Sequence, residues 1–256
     1  MADLSRLRAL MRRLRDPETG CPWDCAQTFE SIVPYTLEEA YEVCDAIECS
    51  DLQHLREELG DLLLQILFYC QMAEEGAHFS FEDVIETLEE KLIERHPHVF
   101  AEPRASSVQE VAETWESAKA DGRPSSAGAL DGVAEALPAL VRAQKLQRRA
   151  ARVGFDWPDW SGPQGKLLEE LDELATAERQ NSPSAVRHEI GDVLFSAVNL
   201  ARHLGEDAET ALRWANRRFE ARFRTMESSC RARQQPLDSL SETEWEALWC
   251  AAKGLE

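Results

Sequence analysis

Two short runs of carboxylates carry the chemistry that this sequence can do. The first is Glu38-Glu39-Ala40-Tyr41-Glu42, followed by Glu58-Leu59-Gly60-Asp61. Neither contains proline, and the surrounding apolar residues recur every three or four positions, which predicts helix. Helical residues three or four apart share a face. Glu39 and Glu42 therefore form one pair, with Glu38 close to Glu42, and Glu58 and Asp61 form another. The run from Leu62 to Cys70 is apolar nearly all round, the pattern of a buried helix. The second pair is thus expected where a buried helix begins, facing the first pair across a helix–helix contact. Carboxylates converging in a poorly solvated place repel one another unless a cation joins them. Hard oxygen ligands without sulfur or imidazole favour magnesium or manganese over zinc.

The arrangement occurs twice. Glu169-Glu170-Leu171-Asp172-Glu173 is followed by Glu189-Ile190-Gly191-Asp192, and 169 − 38, 189 − 58 and 192 − 61 all give 131. The second copy also runs into an apolar stretch, Val193 to Leu200. One acidic cluster on a helix reads as a solvated face; two in one register read as a repeated cation site. Basic and aromatic residues repeat as well. Lys91 and Arg95 match Arg218 and Arg222, and Trp115 with Lys119 matches Trp249 with Lys253. Lysine and arginine suit phosphate oxygens, and an indole either stacks on a base or walls a pocket. Carboxylates for a divalent cation, with cations for phosphate, describe phosphoanhydride hydrolysis. No glycine-rich loop ending in Lys-Ser/Thr is present, which excludes a P-loop enzyme.

Positioning these groups requires an all-α chain. A first amphipathic helix spans Leu4 to Leu14 and is broken by Asp16-Pro17-Glu18-Thr19-Gly20. Cys21-Pro22-Trp23-Asp24 reads as a loop. The carboxylate helices are expected at about 31–47 and 55–75, a third helix at 81–95, and a short one around 108–120. Gly122, Pro124, Ser125, Ser126 and Gly128 mark a linker. The pattern then restarts with helices at about 137–151, 165–177, 184–203, 208–231 and 240–253, and Gly154-Phe155-Asp156-Trp157 forms a second aromatic loop. The domains are therefore 1–121, a linker at 122–136, and 137–256: two tandem repeats of about 120 residues.

The 256 residues carry a net charge of −20. That argues against a nucleic-acid partner, which needs a basic footprint, and against an anionic membrane surface. Seven cysteines with no secretory signal ahead of them read as free thiols in a reducing cytoplasm. The arginine-rich first segment is neither signal peptide nor membrane span.

With these residues in place the chain resembles the two-repeat MazG-type nucleoside triphosphate pyrophosphohydrolases, members of the all-α pyrophosphatases. The shared pattern is Glu-Glu-x-x-Glu followed by Glu-x-x-Asp, and the flanking words Cys21-Pro22-Trp23-Asp24, Arg95 to Phe100, Lys145-Leu146-Gln147 and Gly154 to Trp157 also match. The resemblance implies Mg²⁺-dependent (or Mn²⁺-dependent) cleavage of ribo- and deoxynucleoside triphosphates to monophosphate and pyrophosphate, a role in nucleotide-pool cleaning or stress, and a homodimer that completes the helical bundles. It implies catalysis by Glu169, Glu170, Glu173, Glu189 and Asp192, the last four holding metal. Glu39, Glu42, Glu58 and Asp61 would be the metal ligands of the first repeat. Lys166, Arg218, Arg222, Trp249 and Lys253 would contact nucleotide, with Lys91, Arg95, Trp115 and Lys119 as first-repeat counterparts. Relatives can carry lysine where Ala185 stands, and Arg187 is the candidate substitute. Position 166 − 131 is Tyr35 rather than lysine, so the second repeat is expected to do most of the turnover.

Three other readings fit less well. A di-iron bundle needs Glu-x-x-His twice, and Glu75 to His78 supplies it once. An acidic scaffold for a partner protein leaves the doubled register unexplained. An all-α pyrophosphatase restricted to one nucleotide is disfavoured by the tandem repeat and the flanking words.

Overall fold

A computed structural model of the chain describes residues 4–100 and 128–254. Among these residues all regular structure is helical. The chain divides into two compact units, Met1–Pro124 and Ser125–Glu256. The first holds α1 (Leu4–Leu14), α2 (Pro22–Ala26), α3 (Phe29–Glu48), α4 (Leu52–Glu75), α5 (Phe81–Arg95) and α6 (Pro97–Phe100). The second holds α7 (Ala139–Arg152), α8 (Ser161–Arg179), α9 (Pro183–His203), α10 (Ala208–Ala232), a 3₁₀ turn (Leu237–Ser239) and α11 (Glu242–Lys253). The helix expected around 108–120 lies outside the described residues.

Each unit is organised on one helical hairpin, α3–α4 and α8–α9. The hairpin turns correspond: Ser50 and Asn181, 131 apart, both take positive φ, 57° and 52°. A short polar residue tolerates that left-handed backbone better than a branched one. Thr28 and Ser31 close a capping box at the start of α3, and the Asp51 carboxylate accepts the Gln53 and His54 amides at the start of α4.

Three expectations are corrected. Cys21 to Asp24 is not a loop: Pro22 opens the short helix α2, where a residue lacking N–H costs nothing. The second acidic pair does not sit at a helix start, because α4 begins at Leu52 and α9 at Pro183, placing Glu58 and Glu189 each six residues in. The apolar stretches are not buried all round within one chain. Leu67, Phe68 and Cys70 are buried, but Leu64 and Ile66 are exposed, as are Leu194 and Phe195. The exposed apolar residues keep the 131 register: Leu37 with Leu168, Leu59 with Ile190, and Leu64 with Phe195. Each hairpin therefore covers one face and presents a second apolar face.

The cores differ. In unit 1, Met11 of α1 packs with Ile32, Phe68 and Met72 of the hairpin, and Phe81 joins Leu67 and Cys70. In unit 2 a comparable cluster, Met226, Cys230, Leu248 and Ala252, joins α10 to α11. Where α7 meets the α8–α9 hairpin, buried polar side chains appear instead: Gln147, Ser196 and Asn199. Among the described residues no helix is long and apolar enough to cross a membrane.

Candidate metal centre and adjoining cavity

The hairpins bring the carboxylates together. In unit 1, oxygens of Glu39, Glu58 and Asp61 lie within 4.8 Å of one another; in unit 2, those of Glu170, Glu173 and Glu189 do. Glu58 and Glu170 are buried. Burial first, then the charges of Asp61 and Glu42, push the Glu39 carboxyl above its ordinary range. Burial and Glu42 do the same to Glu58, and burial with Glu170 and Glu189 does so to Glu173. Both triplets are all-oxygen sets that gain by sharing one hard cation, so the donor chemistry fits Mg²⁺ or Mn²⁺. Glu42 stands against Glu58, outside the first triplet. Asp192 stands outside the second, 3.3 Å from the His188 imidazole. Glu38 and Glu169 are exposed on the same helices.

The two centres have different nitrogen partners. The Lys166 ammonium lies 2.6 Å from Glu170 and 3.1 Å from Glu169, and these bonds raise its pKa. Tyr35, its counterpart, instead packs edge-on against Trp23 with ring centroids 5.9 Å apart. In unit 1 the His54 Nδ1 lies 3.0 Å from Glu58. His54 occupies the position matching Ala185, since 185 − 131 is 54. Arg187 is exposed.

Beside the unit 2 centre is a cavity of about 450 Å³ whose wall includes Lys166, Glu170 and Asp192. Most of the rest of its lining comes from α7, α9 and the Phe155–Trp157 segment. That segment is clamped. Arg202 donates to Asp156 at 3.0 Å through Nη1, and the His203 Nε2 lies 2.8 Å from the same carboxylate. These hydrogen bonds, the Arg202 one foremost, hold the Asp156 carboxyl down to about 2. The Trp157 ring lies so close to Gly162 that a Cβ there would stand 2.1 Å from Cδ1, so glycine is required by the contact.

Unit 1 fills the same place with side chains. Phe68 stands where unit 2 has Asn199, since 199 − 68 is 131. Trp23 packs edge-on against Phe68 at 6.5 Å, and the Arg15 guanidinium covers the Phe68 ring at 5.4 Å. Arg15 also donates to the Asp24 carbonyl at 2.5 Å and to Glu75 at 2.7 Å, which fastens α2 to the hairpin.

The predicted phosphate cations form a separate group. Arg222 Cζ and Lys253 Nζ each lie 5.5 Å from the Trp249 ring centroid. The indole thus orients two cations, a third role beside the stacking and wall roles expected of it. Arg218, one turn from Arg222, is exposed, and none of these four residues lines the cavity. Lys91 is exposed on the outer half of α5 and Arg95 is half-buried at its end. Trp115 and Lys119 lie outside the described residues.

Sequence reasoning quoted Gln147 and Asp156 within flanking words but gave them no role, and it missed Asn199 and Arg202. A signal was present: Ser196 and Asn199 interrupt an apolar helix three residues apart, on one face, where the first repeat has Gln65 and Phe68.

An all-α unit with paired carboxylate motifs opposed across a hairpin defines the class of the all-α pyrophosphohydrolases. The model of the MazG nucleotide pyrophosphohydrolase domain matches residues 27–100 and 164–224, and the chain belongs to the MazG family. It is 48% identical over 260 residues to the nucleoside triphosphate pyrophosphohydrolase of Escherichia coli strain K12, covering 100% of this chain and 99% of that one. It is 43% identical over 249 residues to the nucleoside triphosphate pyrophosphohydrolase/pyrophosphatase MazG of Thermotoga maritima, covering 97% and 94%. A nucleoside triphosphate pyrophosphohydrolase of Mycobacterium tuberculosis is 32% identical over 246 residues, covering 95% and 67%.

Proposed function

We propose that this protein hydrolyses nucleoside triphosphates to nucleoside monophosphate and pyrophosphate, over both ribo- and deoxynucleotides, with Mg²⁺ or Mn²⁺. The observation that carries the reading is the carboxylate triplet of unit 2, whose buried member Glu170 lines a cavity of small-molecule size, about 450 Å³. Unit 2 does the turnover. Unit 1 keeps a carboxylate triplet but serves structure.

Glu170, Glu173 and Glu189 hold the cation, with Asp192 beside them. When bound, the cation neutralises phosphate oxygens and lowers the pKa of the attacking water. Lys166, already 2.6 Å from Glu170, delivers positive charge to the phosphate chain at the edge of that site. Glu169, exposed on the neighbouring position of α8, orients the water and takes its proton. The water oxygen adds to the α-phosphorus, the bond from that phosphorus to the bridging oxygen breaks, and pyrophosphate leaves. Arg218, Arg222 and Lys253 supply further charge to the departing phosphates.

The matched exposed apolar faces, Leu37 with Leu168 and Leu64 with Phe195, support a homodimer in which each hairpin completes a bundle with its copy. The net charge of −20 argues against nucleic-acid and anionic-membrane partners, and seven free cysteines support a reducing cytoplasm. The role is nucleotide-pool cleaning or a stress response.

The test is a product assay with ATP, GTP, CTP, UTP and their deoxy forms, with Mg²⁺ and with chelator. Metal-dependent monophosphate and pyrophosphate are expected from several nucleotides. Orthophosphate with diphosphate would overturn the α–β cleavage, and a turnover confined to one nucleotide would overturn the breadth.

A further inference from the structure

We propose that the unit 2 cavity receives the nucleobase and that the Gln147 side-chain carbonyl is the acceptor for a base N–H. This rests on the triphosphate reading of the adjoining carboxylates. Gln147 is 6% exposed. Its Nε2 donates to the Phe195 carbonyl at 2.8 Å, which fixes which end of the amide is which. Its Oε1 is then fully buried with no hydrogen-bond partner, and the residue lines the cavity. A buried acceptor left unpaired is costly, and a ligand donor removes that cost.

The second polar group on the same wall is Asn199, 7% exposed. Arg202 takes its carbonyl oxygen, at 2.9 Å from Nε and 2.7 Å from Nη2. The Asn199 amide nitrogen is thereby the end available to a ligand. One acceptor and one donor suit every base, because each base edge carries an N–H beside a lone pair. Apolar Leu146, Ala150 and Trp157 complete the cavity, as the faces of a base require. Trp249 is engaged with Arg222 and Lys253, so the cavity rather than that indole takes the base. In unit 1 the place is closed by Phe68, 3% exposed, against Met11.

The experiment compares ATP with purine riboside triphosphate, in which hydrogen replaces the 6-amino group, in the full chain with Mg²⁺. The analogue keeps the triphosphate and the ring but has no N–H to give Gln147. Wild type should use it with kcat/KM about tenfold or more below ATP, the loss falling mainly in KM. In Gln147→Leu, ATP should fall to the level of the analogue, so that the two differ by less than about twofold. Equal use of both by wild type would overturn the assignment, as would a gap that persists in Gln147→Leu. Asn199→Phe, which installs the unit 1 residue, should abolish ATP binding measured by competition; undiminished binding would overturn the cavity as the base site. Should either variant fail to fold, the wild-type comparison decides. The two readings fail separately. Wild type that releases no pyrophosphate from ATP overturns the triphosphate reading with this one, whereas turnover without discrimination overturns the base pocket alone.

Discussion

At one position the two units of this chain make opposite choices. Where α4 carries Phe68, buried against Met11, Trp23 and Arg15, α9 carries Asn199, beside a cavity and bonded to Arg202. The hairpins, their turns and their carboxylate triplets are otherwise in register. The contrast lies in what is packed beside a shared hairpin. The hairpin and its acidic cluster persist in both units. The lysine at 166 and an open place for the substrate distinguish unit 2.

The largest effect expected from this contrast is on stability. Phe68→Ala should cost unit 1 about 3–5 kcal/mol, the range for emptying a buried aromatic position, whereas Asn199→Ala should cost unit 2 about 1 kcal/mol for the lost hydrogen bonds. Denaturant unfolding of the two variants measures both, and equal losses would break the contrast. Next, Asp192→Ala should lower kcat about 100-fold or more, and Asp61→Ala less than about threefold. A larger loss from Asp61→Ala would reverse the assignment of the active unit.

The clamps on the aromatic segments offer a third comparison. Asp156 has its pKa held at about 2 against an ordinary 3.8, mainly by Arg202. A depressed carboxylate stabilises the fold at pH above its unfolded value and loses that contribution as pH falls through its folded value. Asp156→Asn should therefore cost about 2 kcal/mol at pH 7, with the difference from wild type vanishing between about pH 4 and pH 2. Glu75→Gln, at the more exposed clamp of unit 1, should cost less than about 1 kcal/mol. Thermal melts across pH separate them, and a pH-independent loss for Asp156→Asn would contradict the ionic clamp. The smallest effect is at Gly162. A Cβ there displaces the Trp157 ring, so Gly162→Ala should raise KM for nucleotide a few-fold with kcat little changed; steady-state kinetics read it directly.

Much of this was legible in the residues. The 3.6-residue periodicity marks the helices, and the 131 offset pairs Glu39 with Glu170 and Glu58 with Glu189. The start of α4 was misplaced by three residues and that of α9 by one, because Leu52 and Pro183 follow caps that lie outside the apolar period. Burial was overstated, since the apolar pattern from Leu62 to Cys70 does not say what covers each face. Leu64 and Ile66 are exposed within this chain. The cavity was illegible for a different reason. Its diagnosis requires knowing that Gln147 on α7 and Asn199 on α9, 52 residues apart, share one wall, and that one end of the Gln147 amide has no partner. Long-range juxtaposition leaves no mark in local spacing. The reverse held for Trp249, whose partners Arg222 and Lys253 were singled out as repeats while the cation contacts that occupy its ring were not foreseen.

The cluster of Met11, Ile32, Phe68 and Met72 bears on how such a chain diverges. A pocket is a part of the core left unbuilt, and keeping it means keeping buried polar groups whose partner is present for part of the time. Once a duplicated copy carries the reaction, its sibling is released from that requirement, and substitutions that pack the gap are favoured for the stability they add. Phe68 fills, against Met11 and Trp23, the place that stays open beside Asn199 in unit 2, while the hairpin, the turn and the acidic register are kept. On the proposed assignment of turnover to unit 2, retained carboxylates beside a filled core are what a copy released in this way would show.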